Sequence, residues 1–190
     1  MNAPVCDVAL STQIRQIGKE DTLDLRHAVL WPNLPVSDVC LPEDDLGVHY
    51  GAFHPPNISP IAIISLFVED LPSIETDMAA DDTLTGTTSE DPNSTAASGR
   101  TGESAVRFRK FACSLDWQGK GVGTRLLLHA LSMARVDLGV TVAWCDARTA
   151  TQDWYRRRGF VAFGPVFYKK DVEYVRMWLD LTSDNALVGR

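Results

Sequence analysis

Gln118-Gly-Lys-Gly-Val-Gly123 is the stretch on which the reading of this chain turns. Three glycines in five residues sit between an alternating run, Ala105-Val-Arg-Phe-Arg-Lys-Phe-Ala-Cys113, and a segment whose apolar positions recur at helical spacing. Those positions are Val122, Leu126, Leu127, Ala130, Leu131, Met133 and Ala134, a broad buried face on a helix predicted to run to about Val136. A strand, a glycine turn and a helix start leave backbone N–H groups bare at the positive end of a helix dipole, a receptor for phosphate or diphosphate. Lys120 and Arg125 can add charge there. Two familiar phosphate loops do not fit. G-x-x-x-x-G-K-[ST] has the wrong spacing after Gly119 and Lys120, and G-x-G-x-x-G needs one more residue than Gly119-x-Gly121-x-Gly123 offers.

Outward from this turn, Val140-Thr-Val-Ala-Trp-Cys145 is a near-continuous apolar run, as expected of a strand covered on both faces. A short helix follows from about Thr149 to Arg158, stopped by Gly159, and Phe160–Phe163 and Val172–Leu181 read as closing strands. On the other side, Gln13–Ile17 alternates as a short strand, and Asp21 is placed to cap a helix ending near Trp31-Pro32. Val48–Phe53 and Ile58–Val68 form a hairpin joined through a Pro-Pro-Asn turn. The order β-α-(α)-β-β-loop-β-α-β-α-β-β predicts an α/β fold with a mixed sheet.

The 190 residues suit one domain, expected to span residues 1–190. Hydrophobic residues at 45% and charged residues at 23% exclude wholesale disorder and coiled coil, and no apolar run approaches the roughly 18–20 residues of a membrane helix. The net charge of −7 is localised: residues 69–103 carry −8 and the remainder +1. Within that stretch, residues 71–102 are rich in Ser, Thr, Asp and Gly, and from Asp77 to Arg100 there is no aromatic residue. Too little apolar surface is available there to offset backbone ordering of ~1–2 kcal/mol per residue, so a flexible acidic insertion is expected. No basic stripe with interleaved aromatics points to nucleic acid. Cys6, Cys40, Cys113 and Cys145 form no C-x-x-C, which argues against structural zinc and a disulfide framework. Met1–Asp7 has neither the basic start nor the apolar stretch of a secretory leader. A cytoplasmic protein without a metal site is the expectation.

The sequence resembles the GCN5-related N-acetyltransferase (GNAT) superfamily. Its acetyl-CoA signature, [QR]-x-x-G-x-[GA], matches Gln118-Gly-Lys-Gly-Val-Gly123, and its second motif matches Trp154-Tyr155-Arg-Arg-Arg-Gly159-Phe160. The likeness is firm over about Ala105–Leu181 and looser over Gln13–Val68. Leu25–Pro32, His49-Tyr-Gly-Ala, Ala147-Arg148 and Asp171–Met177 are similar to a branch of small stand-alone acetyltransferases. The resemblance implies a mostly antiparallel mixed sheet with helices on both faces and one splayed parallel strand pair. It implies acetyl-CoA as acyl donor, its pantetheine arm on backbone groups of Phe111, Ala112 and Cys113. Its diphosphate would lie on Gln118, Gly119, Lys120, Gly121, Val122, Gly123 and Thr124, with Arg148 where many relatives carry an asparagine.

Tyr155 is then the candidate general acid, because a phenol of pKa about 10 is neutral at pH 7 and can protonate a departing thiolate. The strand carboxylate that many relatives use as base is absent, since Arg107, Arg109 and Lys110 stand there. Glu173 and Tyr174, water, His49 or Glu43-Asp44-Asp45 are left to take the proton. Arg26 and His49 are marked for the substrate by the branch resemblance alone. Cys113 and Cys145 read as small hydrophobes and His129 as structural, so direct transfer to a small-molecule amine is expected, with a homodimer as the assembly common among relatives. The competing reading is a non-catalytic acyl-CoA-binding or regulatory module on the same fold; a nucleotide- or dinucleotide-binding α/β protein is the third.

Overall fold

A computed structural model describes residues 11–72 and 104–183, so the expected acidic insertion at 71–102 falls almost wholly outside the described residues. Seven strands form one sheet: β1 (Gln13–Ile17), β2 (Val48–Phe53), β3 (Ala62–Val68), β4 (Ala105–Cys113), β5 (Val142–Arg148), β6 (Val161–Lys169) and β7 (Val172–Asp180). Among the described residues three α-helices join them: α1 (Glu20–Leu30), α2 (Val122–Leu138) and α3 (Gln152–Arg156). Short 3₁₀ turns at Val36–Val39 and Pro42–Leu46 fill the path from α1 to β2. The strand order is β1-β2-β3-β4-β5-β7-β6, and β4 with β5 is the one parallel neighbour pair among the described strands. The expected α/β architecture, with a mostly antiparallel mixed sheet, is the architecture observed.

Alternation of side chains across the pleat assigns the two faces. Ile64, Leu66, Val106 and Phe108 pack with Leu126, Leu127, Ala130 and Leu131 of α2 in the main core. Ser65, between two of them, points the other way and accepts a hydrogen bond from Arg26 of α1. The two long helices therefore cover opposite faces. At ~1.5–3 kcal/mol for each fully buried large aliphatic side chain, the leucine stripe of α2 is what fixes that helix on the sheet.

Several boundaries differ from those predicted. Asp21 lies inside α1, which starts after Lys19; its carboxylate accepts from the Gly18 N–H at 3.2 Å, reaching back across the turn. β3 begins at Ala62, because Ser59-Pro60 intervenes and Ile58 is solvent-exposed. β5 continues to Arg148, and β6 runs through Gly164-Pro165 to Lys169 with an irregularity between Phe163 and Phe167. The helix predicted over Thr149–Arg158 resolves into a 3₁₀ turn and α3. None of the described helices is long and apolar enough to cross a membrane.

Candidate functional site

Register opens the site. β4 and β5 pair over three positions, Ala105–Val142, Val106–Ala143 and Arg107–Trp144, and no further. β4 then stays with β3 as far as Cys113, while β5 stays with β7 as far as Arg148. A wedge is left between Phe108–Cys113 and Cys145–Arg148. Along it, no described strand pairs with the β5-side edge of Phe111, Ala112 and Cys113, which suits an extended ligand laid down in the manner of an added strand.

Tyr155 stands at the apex of the wedge. It is buried against Phe108 of β4 and Phe160, with ring centroids 6.0 and 5.5 Å away, and its hydroxyl donates to the Cys145 thiol of β5. Burial first, and the neighbouring Cys145 second, push the phenol well above its ordinary value, so it is protonated throughout the neutral range. Cys145 is itself raised by burial, and Cys113 is pushed up to about 11 by desolvation. Neither is a thiolate near neutral pH, and a thiol that is not ionised is a poor nucleophile.

The glycine turn lies at the wide end. Gly119 and Gly121 adopt positive φ of 72° and 81°, and a Cβ at Gly119 would meet no atom within 4 Å, so the approach to its backbone is open. Gly121 caps α2 with no side-chain hydrogen bond, which leaves the first N–H groups of that helix, from Val122 to Thr124, without side-chain acceptors from the cap. The Val122 side chain is fully buried, and at Gly123 a Cβ would press to 3.3 Å on the Phe111 ring, so α2 starts hard against β4. Gln118 donates through Nε2 to the Cys113 carbonyl at 2.9 Å; its side chain ties the turn to the strand end. Lys120 lies over Trp117 at 5.1 Å. Arg158, which sequence reading passed over inside the Arg triplet, stacks on Trp154 at 3.5 Å and donates through Nε to Thr124 Oγ1 at 3.0 Å. Arg148 is exposed at the end of β5.

On the opposite, α1 face the strands carry charge. Arg109 donates to Glu43 and Glu69, each at 2.8 Å, Arg107 to Glu69 at 2.7 Å and to Asp146, and Lys169 to Asp146 at 2.6 Å. A cleft of about 360 Å³ lies over this chain of pairs, lined by Glu43, Leu46, Phe67, Val68, Glu69 and Arg109. The Asp146 side chain is nine-tenths buried, and among the described residues its Oδ1 accepts no hydrogen bond, with Arg176 Nε at 3.8 Å. Burial alone would raise that carboxyl, but Lys169 and Arg107 outweigh it and hold the group below the ordinary carboxylate range. Asp146 was missed because β5 was predicted to stop at Cys145; one more residue of strand puts it on the α1 face.

Arg26 and His49, expected at the substrate, are spent in a buried network. Arg26 is fully buried, donates through Nη1 and Nη2 to Asp44 at 2.5 and 2.9 Å, and through Nη2 to Ser65 Oγ at 2.9 Å. His49 meets Ser65 Oγ with Nδ1 at 2.8 Å and the Asp44 carbonyl with Nε2 at 3.0 Å. A carbonyl can only accept, so Nε2 carries a proton and donates it to the Asp44 carbonyl. Asp44, from the acidic cluster offered as a base, belongs to the same network. Glu173 and Tyr174 are consecutive on β7 and so point to opposite faces. Glu173 is held by Thr149 and by the Tyr168 hydroxyl at 2.9 Å, which lowers its carboxyl and makes it a weak proton acceptor. Tyr174 stacks on Phe167 at 5.9 Å, with Lys169 at 5.0 Å from its ring.

With this geometry established, comparison with known proteins gives a consistent result. Residues 65–181 match the family described as acetyltransferase (GNAT) domain. The chain is 26% identical over 157 residues to the uncharacterised N-acetyltransferase YitI of Bacillus subtilis (strain 168), covering 82% of this chain and 86% of that protein. Its fold is similar to FeeM, an N-acyl amino acid synthase from uncultured soil microbes (TM-score 0.63, 12% identity, 90% and 91% of the two chains). It is also similar to a GNAT family acetyltransferase from Elizabethkingia anophelis solved with acetyl-CoA bound (TM-score 0.58, 12% identity, 90% and 99%).

Proposed function

Because the chain belongs to the GNAT family, and is thereby an N-acetyltransferase with acetyl-CoA as its donor, we propose that it transfers the acetyl group directly to the primary amine of a small molecule. An amino sugar, polyamine, amino acid or alkylamine fits this reading. The observation that carries it is the buried, protonated Tyr155 hydroxyl at the point where β4 and β5 part, between Phe108 and Cys145. The 360 Å³ cleft on the α1 face falls in the size range of small-molecule sites, and its carboxylates suit a cationic amine. FeeM, of the same fold, is named for acylating amino acids.

The donor supplies an acyl carbon activated by a thiolate leaving group. Its extended arm would pair with the free edge of Phe111, Ala112 and Cys113, and its diphosphate would lie on the amides of Gly119 to Thr124, with Lys120, Arg158 and Arg148 within the charged surround. The acceptor would arrive from the α1 face, where Glu43 and Glu69 line the cleft. The nitrogen lone pair forms the C–N bond as the C–S bond breaks, and Tyr155 gives its proton to the sulfur.

The test is release of CoA thiol across a panel of amines, beside melting curves with CoA. Amine-dependent thiol release, with saturating CoA raising the melting temperature as RT ln(1 + [L]/Kd), is expected. Stabilisation by CoA with no turnover on any amine would make the protein a binding module. Preferential stabilisation by ATP or NAD would move it to another class.

The turn has its own prediction. Gly121→Val forces a β-branched residue to a φ of 81° and swings the adjoining amides. Loss of one charge-assisted hydrogen bond costs about 1.5–3 kcal/mol. The calorimetric Kd for CoA should rise roughly tenfold to a hundredfold by that conversion. An unchanged Kd would remove the turn from the diphosphate.

A further inference from the structure

The pleat of β4 breaks at Lys110. Ser65 of β3 pairs with Arg109 and Ile63 pairs with Ala112, so Lys110 and Phe111 together oppose Ile64. Lys110 takes the extra position with φ of 52°, a left-handed conformation that a residue with a Cβ rarely adopts. In an unbroken strand, residues 109 and 110 would point to opposite faces. Here both go to the α1 side: Arg109 lies over the Phe67 ring at 5.6 Å, and the Lys110 ammonium over the Trp31 ring at 4.2 Å. The bulge therefore delivers a lysine nitrogen to the acceptor side of the wedge, three residues past the last β4–β5 pair. Tyr155 sits on the other face, in the core with α2.

The surroundings of that nitrogen are unusual. Trp31 meets it from the end of α1, Arg26 from within α1, Arg109 from its own strand and Lys169 from β6. Glu43, in the turn before β2, acts on it in the opposite sense, and among the described residues no acid forms an ion pair with it. Desolvation first, then the three cations, bring its pKa down to about 8. The other titratable groups near the acceptor are worse proton acceptors. Asp146 and Glu173 are held low, and both nitrogens of His49 are engaged.

We propose that Lys110, in its neutral form, is the base that takes the proton from the acceptor ammonium. The inference rests on the amine N-acetylation reading above and names a residue for its first step. The ammonium N–H breaks as a Lys110 N–H forms, leaving a neutral amine whose lone pair makes the C–N bond. The C–S electrons leave with sulfur, which takes the Tyr155 hydroxyl proton. The second proton on the new amide nitrogen returns to Tyr155 through water, and Lys110 discharges its proton to solvent. The cleft carboxylates Glu43 and Glu69 receive the cation, and Lys110 removes its proton. The cations that lower the proton affinity of Lys110 also disfavour a second positive charge beside it, so arrival of the ammonium favours transfer only while Lys110 is neutral.

The experiment uses the full chain and pairs kinetics with a direct titration. Rates are measured against pH with two amines of different pKa, for the wild type, Lys110→Arg and Lys110→Met. In parallel, protein labelled with ¹³C at lysine Cε is titrated by NMR, and the Lys110 signal is identified by its loss in Lys110→Arg. Wild-type kcat/KM should rise with pH through an inflection near 8 that stays put when the amine is changed. Lys110→Arg keeps the charge but cannot deprotonate, so it should lose that inflection and roughly 10²-fold or more in kcat at pH 8, with CoA affinity and melting temperature retained. An inflection that follows the amine's own pKa overturns the proposal, as does a Lys110 signal that titrates only in the ordinary lysine range. Turnover with an unaltered profile in Lys110→Arg overturns it while leaving the acetyltransferase reading in place. A wild type that binds CoA and acetylates no amine overturns both.

Discussion

Tyr155→Phe should bind CoA as the wild type does and turn over roughly 10²-fold or more slowly, in line with the loss of a positioned general acid. The variant separates chemistry from packing. Phenylalanine keeps the ring that fills the space between Phe108, Phe160 and Trp154, and gives up one hydrogen bond, to a thiol. Sulfur is a weak acceptor, so the stability change should not exceed the ~0.5–1.5 kcal/mol of an ordinary hydrogen bond, a few degrees of melting temperature at most. The same weak partner leaves the hydroxyl free to turn toward a thioester sulfur without abandoning a strong bond. Its raised pKa sets the pH dependence. The phenol must be protonated to act, so its alkaline limb lies above the ordinary tyrosine value of about 10, and no inflection below that belongs to it. Single-turnover acetyl transfer, with melting curves alongside, decides. A kcat unchanged in Tyr155→Phe would return this side chain to the core aromatics.

What could be read in advance was whatever depends on local pattern. The alternation of Ala105–Cys113, the helical spacing from Val122 to Ala134 and the glycines between them placed β4, the turn and α2, because each signal lies within one element. The stop at Gly159 was legible for the same reason: its φ of 86° suits a residue without a Cβ. Features made by pairing were hidden. The Lys110 bulge depends on how β4 meets β3, and nothing in Arg-Lys-Phe announces it. Asp146 joins the site only because β7 holds β5 in register to Arg148. β6 crosses Gly164-Pro165, residues that argue against a strand locally, because β7 offers a long partner and the irregularity absorbs them. Arg26 could be marked by resemblance, but its role was set by Asp44, 18 residues away, and Ser65, 39 away, which local pattern does not connect.

That buried pair leads to the second large effect. Asp44→Ala is expected to destabilise the fold by about 3–5 kcal/mol, because it strands the Arg26 guanidinium, fully buried, without its counter-ion. Against a total of roughly 5–15 kcal/mol this is severe, and for a chain of this size it amounts to roughly 10 °C of melting temperature. Asp44 also accepts from the Leu41 N–H at 2.7 Å and lends its carbonyl to His49, so the turn Pro42–Leu46 should loosen with it. Glu43, the partner of Arg109, rides on that turn, and acceptor turnover should fall as a consequence. The pH dependence follows from the carboxyl. Burial by itself would raise its pKa, but the hydrogen bond from Arg26, the Leu41 N–H and the Arg26 charge prevail and lower it. A depressed native pKa contributes stability that is present above the unfolded value of about 4 and lost as the pH falls through the native one. Wild-type protein should therefore lose an increment of stability below about pH 4 that Asp44→Ala never had. Replacing both partners, as Arg26→Met with Asp44→Leu, should recover much of the loss, since the penalty lies in an uncompensated charge rather than in the absence of an ion pair. Urea titrations of the single and double variants at pH 7 and pH 4 read all of this. If Asp44→Ala instead keeps its stability and loses acceptor affinity alone, Arg26 faces a substrate after all and the network is not what holds this corner of the sheet.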